Sequence, residues 1–459
     1  MPSSFLTIKQ ILVGYKDKEF TSKEIFDLFY SRIKEYDPTV KAFISLVERK
    51  DFGIEGNFIP IAHKDIFSTK NIQTTAGSAI LKNYTPPYDA TVVERLNKAN
   101  FVCVGKVNCD AFAHGTTGEN SDFFVTKNPY NLERTPGGSS SGSSASVAAG
   151  LVPIASATDT GGSIRLPASF TNTVGIKPTY GRVSRYGVIA MTSSTDSIGH
   201  ITKTVWDSAY ILNITAGYDP RDATSSHIKV DDYLGDIGKD ISGLKIGIPR
   251  EYVKGLSSRV RSHFERSVKI FEKLGAKIVE ISLPHTEYAL NAYYIITPCE
   301  ISSNLARFDG IRFGNTRDFF GEEAKRRIMM GTYGLSAGYY DAYYLKAQKV
   351  RTLVVNDFRK AFEQVDVLVA PVFPDVPPKI GEVVDDPIKM YLMDILTVPV
   401  NLAGIPALAV PGGFFEGTSL PLGIQIMGNH FEEKLLYRVG YAFEQETKYY
   451  EREPKLLNC

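Results

Sequence analysis

The chain has 459 residues, of which 43% are hydrophobic and 22% are charged. This composition is ordinary for a globular protein and argues against long disordered spans. Lys and Arg number 52 against 51 Asp and Glu, which disfavours a chain that mainly grips nucleic acid, because such domains carry a clear basic excess. The sequence has no uncharged apolar run of about 18 residues, so we expect no membrane span.

Cysteine usage and the N-terminal sequence bear on location. Charged residues interrupt the first twenty positions, which lack the apolar core of a secretory signal. The cysteines show no C-x-x-C pair, which disfavours a zinc or thioredoxin-type site and favours free thiols. They are Cys103, Cys109, Cys299 and Cys459. We expect a cytoplasmic protein, or an organellar one after removal of a transit peptide.

The first predicted elements are a helix and a strand. Thr21 or Ser22 caps a helix whose apolar residues recur at helical spacing, and this helix is predicted to stop before Pro38. A short apolar strand over 58–62 then leads into a charged trio that includes Lys64. A lysine at this position is either an ordinary solvated loop residue or a functional group at the end of a buried strand. The predicted strand does not distinguish between these two interpretations.

The middle of the chain indicates an α/β protein. An amphipathic helix over 91–96 leads into a strand over 101–105, a unit typical of that class. A long polar loop region over 111–136 follows, and loops of this length inside a compact domain are usually functional.

The second half repeats this alternation. A polar stretch over 216–243 is predicted to be an irregular surface segment, and from Leu244 a strand, a helix and a strand alternate. A long helix from about Tyr343 to Gln364, with an apolar stripe for core packing, precedes a strand over 366–371. No repeat or linker divides the chain, so we expect one domain over residues 1–459.

The most informative stretch runs from Pro136 to Phe170. Two clusters of glycine and serine, 137–143 and 161–163, flank an apolar segment rich in alanine and valine. Flexible linkers are also rich in Gly and Ser, but they are not followed by a run that is apolar only if it is buried. We therefore interpret the stretch as two tight backbone loops held against a core.

Three motifs compete for the first cluster. A phosphate-binding P-loop is disfavoured because Ser143 stands where its lysine belongs. A nucleophile elbow, G-x-S-x-G, matches with Ser140 as nucleophile, but the residues before it do not form a strand and include Pro136. The third interpretation uses both clusters together with Lys64.

In this third interpretation the sequence resembles the amidase signature family. Four segments in this order carry the resemblance: PIAHKD, PGGSSSGS, DTGGSIRLPASF and VGIKPTYGRVSRYG. The commonest family pattern has glycine where this chain has Ser141. The resemblance implies an α/β fold with a mixed central sheet between helical layers, a signature core at about 58–200 and a substrate-pocket half at about 240–430.

The resemblance also implies a catalytic trio. Lys64 matches the catalytic lysine, Ser139 the serine that follows a cis peptide bond, and Ser163 the nucleophile. The chemistry is reasonable, since a serine hydroxyl needs a base and the seven histidines show no motif linking them to a serine. A lysine serves if burial lowers its pKa toward the working pH.

Residues around the nucleophile are expected to form an oxyanion hole. Thr160, Gly161 and Gly162 can present backbone N–H groups without side-chain obstruction. Asp159 and Arg165, which flank the loop, are expected to brace it rather than react.

Segments outside the signature are similar to the A subunits of aspartyl/glutamyl-tRNA amidotransferases, members of the same family. These segments include ARFDGIRFG, EEAKRRIMMGTYG and DDPIKMYLMDILTVPV. This implies a glutaminase that supplies ammonia to B and C partner subunits, which bind most of the misacylated tRNA. No metal or organic cofactor is expected on this chain, and ATP and Mg²⁺ are expected at the partner.

The same resemblance implies the glutamine pocket. Free glutamine carries a carboxylate and an ammonium, so a selective pocket needs one cation and one anion. Arg327 is expected to pair with the carboxylate, Asp394 with the ammonium, and Tyr293 or Tyr294 to contribute a hydroxyl.

Three alternatives remain at this point. A stand-alone amidase would use the same trio on another small amide. A scaffold protein with a degenerate site would bind partners without catalysis. A hydrolase using Ser140 would depend on that serine and not on Lys64.

Overall fold

The structure is a computed structural model and describes residues 5–48, 56–312 and 314–455. Its centre is an 11-stranded sheet with the spatial order β1-β3-β2-β4-β6-β5-β10-β11-β9-β7-β8. The strands are β1 (Phe43–Leu46), β2 (Ile59–Lys64), β3 (Phe101–Val107), β4 (Ile154–Asp159), β5 (Val174–Lys177), β6 (Ser197–Thr202), β7 (Lys245–Pro249), β8 (Lys277–Ile281), β9 (Val367–Pro371), β10 (Ala407–Phe414) and β11 (Pro421–Gly428).

Helices connect these strands and pack against the sheet. They are α1 (Ile8–Asp17), α2 (Ser22–Val40), α3 (Thr91–Lys98), α4 (Ser141–Ala148), α5 (Arg165–Phe170), α6 (Val205–Thr215), α7 (Arg250–Val253), α8 (Ser258–Lys273), α9 (Ala289–Leu305), α10 (Glu322–Gly334), α11 (Lys346–Phe362), α12 (Pro387–Leu392), α13 (Val398–Ala403) and α14 (Glu433–Thr447). A π-helical segment, Tyr340–Leu345, leads into α11. The mixed α/β fold predicted from the sequence is confirmed.

Two parallel strands set the position of the predicted site. β2 pairs in parallel with β4, with His63 opposite Ser156, while β4 pairs antiparallel with β6. Because parallel neighbours end at the same edge of a sheet, Lys64 at the end of β2 lies beside the loop that follows Asp159 at the end of β4. The fold thereby brings Lys64 to the second glycine cluster.

The apolar segment between the glycine clusters is buried, as predicted. It forms α4 and then β4, and every residue of both elements is buried. The helix begins at Ser141, inside the first cluster, so it fixes that loop against the sheet.

One predicted boundary is wrong, since α2 does not stop before Pro38 but continues to Val40. A proline in the last turn of a helix removes only one hydrogen bond. The helix ends at Lys41, which adopts the left-handed backbone conformation. The Lys41 N–H donates to the Asp37 carbonyl over 2.7 Å. The Asp37 carboxylate also accepts from the Ala42 N–H over 2.7 Å.

The structure also bears on the predictions about the cysteines and about membrane spans. Cys103, Cys109 and Cys299 are buried free thiols, as predicted, and Cys459 lies outside the described residues. No helix in the described parts of the chain is long and apolar enough to cross a bilayer.

Candidate active site

Lys64 is the centre of the candidate site. Its side chain is fully buried, and its Nζ lies 2.8 Å from Ser139 Oγ, 3.0 Å from Ser140 Oγ and 2.9 Å from Thr158 Oγ1. Burial lowers the pKa of Lys64 to about 8, although nearby groups, Asp110 among them, act in the opposite direction. Burial thus shifts this amine toward its neutral form, which can accept a proton.

The hydroxyls around Lys64 are not equivalent. Ser140 Oγ also lies 3.3 Å from the Thr158 carbonyl, to which it donates its proton. Ser139 Oγ makes no other hydrogen bond to a described residue, so its proton is free to point at a neutral Lys64 amine. Ser139 is thus better placed than Ser140 to pass a proton to Lys64.

The first glycine loop has an unusual backbone. The peptide bond between Gly138 and Ser139 is cis, as the family resemblance implies. The Gly138 N–H donates to the Thr116 carbonyl over 2.7 Å, and the Asp110 N–H donates to the Ser139 carbonyl over 3.2 Å. These bonds fasten Ser139 to the polar loop region that precedes it.

Ser163 lies in the second glycine loop, which contacts the first. The Ser140 N–H donates to the Ser163 carbonyl over 3.3 Å. The Ser163 hydroxyl has no hydrogen-bond partner among the residues described, and the residue is 7% exposed, whereas Lys64 and Ser139 are fully buried. Of the three predicted catalytic residues, Ser163 is the one that a substrate can reach from solvent.

The second loop keeps backbone donors available. Within the described ranges, the N–H groups of Gly161, Gly162 and Ser163 donate to no protein acceptor. A Cβ on Gly161 would lie 2.6 Å from the Tyr293 hydroxyl oxygen, and Gly162 has φ +143 with Thr397 against its Cα. Glycine is therefore required at both positions, and the free N–H groups satisfy the chemical requirement of an oxyanion hole.

Two contacts that hold this loop were not foreseen from the sequence. Thr397 Oγ1 donates to the Gly161 carbonyl over 2.6 Å, and Thr160 Oγ1 donates to Asp196 Oδ1 over 2.7 Å. Asp196 lies outside the segments that carry the resemblance, and although Thr397 lies within DDPIKMYLMDILTVPV, nothing in that segment indicates this bond.

Asp159 and Arg165 brace the nucleophile loop, as expected. Arg165 Nε lies 3.0 Å from Asp159 Oδ2, and both side chains are fully buried. Arg165 also donates to Gln425 Oε1 over 2.8 Å and to Asn401 Oδ1 over 2.6 Å. Burial alone would raise the pKa of Asp159, but the charge and hydrogen bonds of Arg165 outweigh it and lower this pKa to about 2.

We expect Arg165→Met to lower the free energy of unfolding by about 3–5 kcal/mol, because it leaves the Asp159 carboxylate buried without its cation. Arg266→Met is the matched control, since Arg266 forms an exposed pair with Glu416 and should cost less than about 1 kcal/mol. Urea denaturation of both variants measures the difference. Equal losses would contradict the bracing role.

The predicted pocket cation, Arg327, lies on α10 and is 2% exposed. Its Nε donates to Glu323 Oε1 over 2.7 Å, and its guanidinium lies 5.5 Å from the ring centres of Tyr294 and Tyr391. Its two terminal nitrogens donate to no acceptor in the described parts of the chain. The fork that pairs with a carboxylate is therefore open.

The predicted pocket anion, Asp394, is linked to this cation by Tyr294. The Tyr294 hydroxyl donates to Asp394 Oδ2 over 2.8 Å. Burial raises the pKa of Asp394 to about 7, against the opposing effects of the Tyr294 hydrogen bond and the Arg327 charge. The ring of Tyr293 packs edge-on against Tyr294 at 5.0 Å, and its hydroxyl faces Gly161, so the pocket charges adjoin the nucleophile loop.

Sequence reasoning missed Glu323 and Tyr391 as partners of Arg327. Glu323 precedes Arg327 by four residues, which is the spacing of an ion pair on one helix face, so this partner was detectable. The Tyr391 hydroxyl donates to Glu323 Oε1 over 3.2 Å, a contact between distant segments that carries no local signal.

A buried lysine, two glycine loops that each carry a serine, and free backbone donors together define an amidase. Residues 24–437 match the family described as Amidase, and the chain belongs to that family. It is 50% identical over 482 aligned residues to the A subunit of glutamyl-tRNA(Gln) amidotransferase from Halalkalibacterium halodurans, with 98% of this chain and 99% of that protein covered.

Two further comparisons agree. The protein of the same name from Coxiella burnetii is 48% identical over 480 residues, with 98% of this chain and 99% of that protein covered. The crystal structure of the glutamyl-tRNA(Gln) amidotransferase A subunit from Thermotoga maritima superposes with a TM-score of 0.85 at 44% identity, covering 96% of this chain and 95% of that one.

Proposed function

We propose that this chain is the glutamine-hydrolysing A subunit of a glutamyl-tRNA(Gln) amidotransferase. The observation that carries the proposal is the pocket beside Gly161. It holds an open guanidinium fork on Arg327 and a carboxylate on Asp394, both in contact with Tyr294. One cation and one anion at fixed positions complement an α-amino acid. The relatives named above match at least 96% of the chain.

In the proposed reaction, Ser163 Oγ attacks the side-chain amide carbon of glutamine. The Ser163 proton passes through Ser139 to the neutral Lys64 amine, and the new oxyanion accepts hydrogen bonds from the loop N–H groups. The C–N bond then breaks, and the proton returns from Lys64 through Ser139 to the leaving nitrogen, which departs as ammonia. Water hydrolyses the ester on Ser163 by the same proton route, releasing glutamate.

The ammonia would serve partner subunits of the B and C type. In this proposal those subunits bind most of the misacylated tRNA, and they also bind ATP and Mg²⁺. They use the ammonia to convert Glu-tRNA(Gln) to Gln-tRNA(Gln), Asp-tRNA(Asn) to Asn-tRNA(Asn), or both. The near-zero net charge of this chain supports that division, because tRNA binding needs basic excess. No cofactor is proposed on this chain, and the complex would work in the cytoplasm or an organelle, where tRNA is charged.

Arg327→Ala should raise KM for glutamine by about 10- to 100-fold, because a hydrogen bond to a charged group contributes about 1.5–3 kcal/mol. The matched control is Arg326→Ala, since Arg326 also contacts Glu323 but is 41% exposed. Steady-state glutaminase kinetics on the assembled complex measure both variants. An unchanged KM in Arg327→Ala would remove this residue from the pocket.

The runner-up, a stand-alone amidase, makes a different prediction. It requires the isolated chain to hydrolyse simple amides such as propionamide as efficiently as glutamine. Dependence of the rate on the α-carboxylate and α-ammonium of glutamine would exclude it.

A further inference from the structure

His114 is a buried side chain that the proposed reaction does not use. It follows Phe112 and Ala113, which have φ of +53 and +63. Two consecutive non-glycine residues in the left-handed region are costly, and such strain persists where the surrounding structure enforces it, often at functional sites. The backbone is thus held in an unfavourable conformation immediately before His114.

The imidazole of His114 has no hydrogen-bond partner among the described residues. The residue is 1% exposed, and neither ring nitrogen makes a hydrogen bond to a described residue. An unsatisfied buried polar group costs about 1–3 kcal/mol, and this ring has two. Such a group in an enzyme pocket points to a ligand that satisfies it.

One charged group of the proposed glutamine pocket, Arg327, acts electrostatically on His114. Burial, and after it the charge of Arg327, lower the pKa of His114 well below its usual value. The ring is therefore neutral, with one N–H donor and one acceptor nitrogen.

The segment 114–120 is also hydrogen-bonded to α12, which precedes Asp394 in the chain. Asn120 Nδ2 donates to the His114 carbonyl over 3.1 Å and lies 3.5 Å from Met390 Sδ. Thr116 Oγ1 donates to the Met390 carbonyl over 3.1 Å. These bonds hold the segment that contains His114 against α12, the helix whose Tyr391 lies 5.5 Å from the Arg327 guanidinium.

We propose that His114 is a specificity-determining residue that donates its ring N–H to the α-carboxylate of the substrate beside Arg327. This inference rests on the proposed function. A carboxylate has about four lone-pair sites, of which a guanidinium fork fills two. A neutral imidazole adds a third donor without a second positive charge that would repel Arg327.

Calorimetric binding in a Ser163→Ala background tests this role, because that variant binds substrate without turnover. The ligands are glutamine, 4-aminobutanamide, which lacks the carboxylate, and glutaramate, which keeps the carboxylate but lacks the ammonium. His114→Met should weaken glutamine and glutaramate by about 10-fold or more and leave 4-aminobutanamide unchanged. His114→Gln, which retains an N–H donor, should recover part of the loss.

The outcomes separate this inference from the proposed function. Equal weakening of all three ligands by His114→Met, or no weakening of any, overturns the role of His114. Failure of the Ser163→Ala parent to bind glutamine overturns the proposed function and this inference with it. Thermal melting checks that each variant is folded. If His114→Met does not fold, His114→Gln alone tests the role of His114. Weaker binding of the two carboxylate-bearing ligands by His114→Gln then supports the role, and unchanged affinities contradict it.

Discussion

Ser163→Ala should reduce glutamine hydrolysis by about 10⁴-fold or more, yet leave amidation driven by added ammonium salts intact. The nucleophile is essential to covalent catalysis, so its removal eliminates the acyl-enzyme route. Ammonia supplied from solution bypasses that route, because the acceptor chemistry is proposed to take place on partner subunits. The two activities should therefore separate in a single variant.

The experiment uses the complex of this chain with its native partners, and measures glutamate release and tRNA amidation with each nitrogen source. Ser140→Ala is the matched variant in the first loop. It should lose far less activity than Ser163→Ala, because Lys64 keeps its 2.8 Å contact with Ser139. Loss of both activities in Ser163→Ala would contradict a role confined to glutaminase chemistry, and an inactive Ser140→Ala with an active Lys64→Ala would favour the alternative nucleophile.

The order of motifs in the sequence predicted much of this geometry. Lys64 and the two glycine clusters meet because β2 and β4 are parallel neighbours, and an apolar segment between the clusters had to be buried. The sequence did not reveal that pairing of strands directly. It was the resemblance to a family, not periodicity, that linked Lys64 to Ser163.

Contacts between distant segments were beyond sequence reasoning. Thr397 binds the carbonyl of Gly161 from 236 positions away, and a threonine carries no local signal for such a bond. The raised pKa of Asp394 likewise depends on burial by the whole fold. By contrast, the pairing of Glu323 with Arg327 follows helical spacing and was open to prediction.

The second large effect concerns Lys64 and pH. At saturating glutamine, kcat should rise with pH through about 8, the value to which burial lowers the pKa of Lys64, because only the neutral amine accepts a proton. Lys64→Met should lower kcat by at least about 10²–10⁴-fold, the typical contribution of a general base. It should also remove this rise.

Lys203→Met is the control for this titration. Burial lowers the pKa of Lys203 to about 8 as well, but Lys203 follows Thr202, which pairs with Ile154 at the opposite end of β4 from the site. Both lysines bind fewer protons in the folded than in the unfolded chain between about pH 8 and their ordinary pKa of about 10.4, so folding stability rises with pH across that window. If the rise of kcat with pH persists in Lys64→Met and disappears in Lys203→Met, the rise reflects folding stability and not catalysis. If it disappears in Lys64→Met and persists in Lys203→Met, Lys64 is the group that accepts the proton.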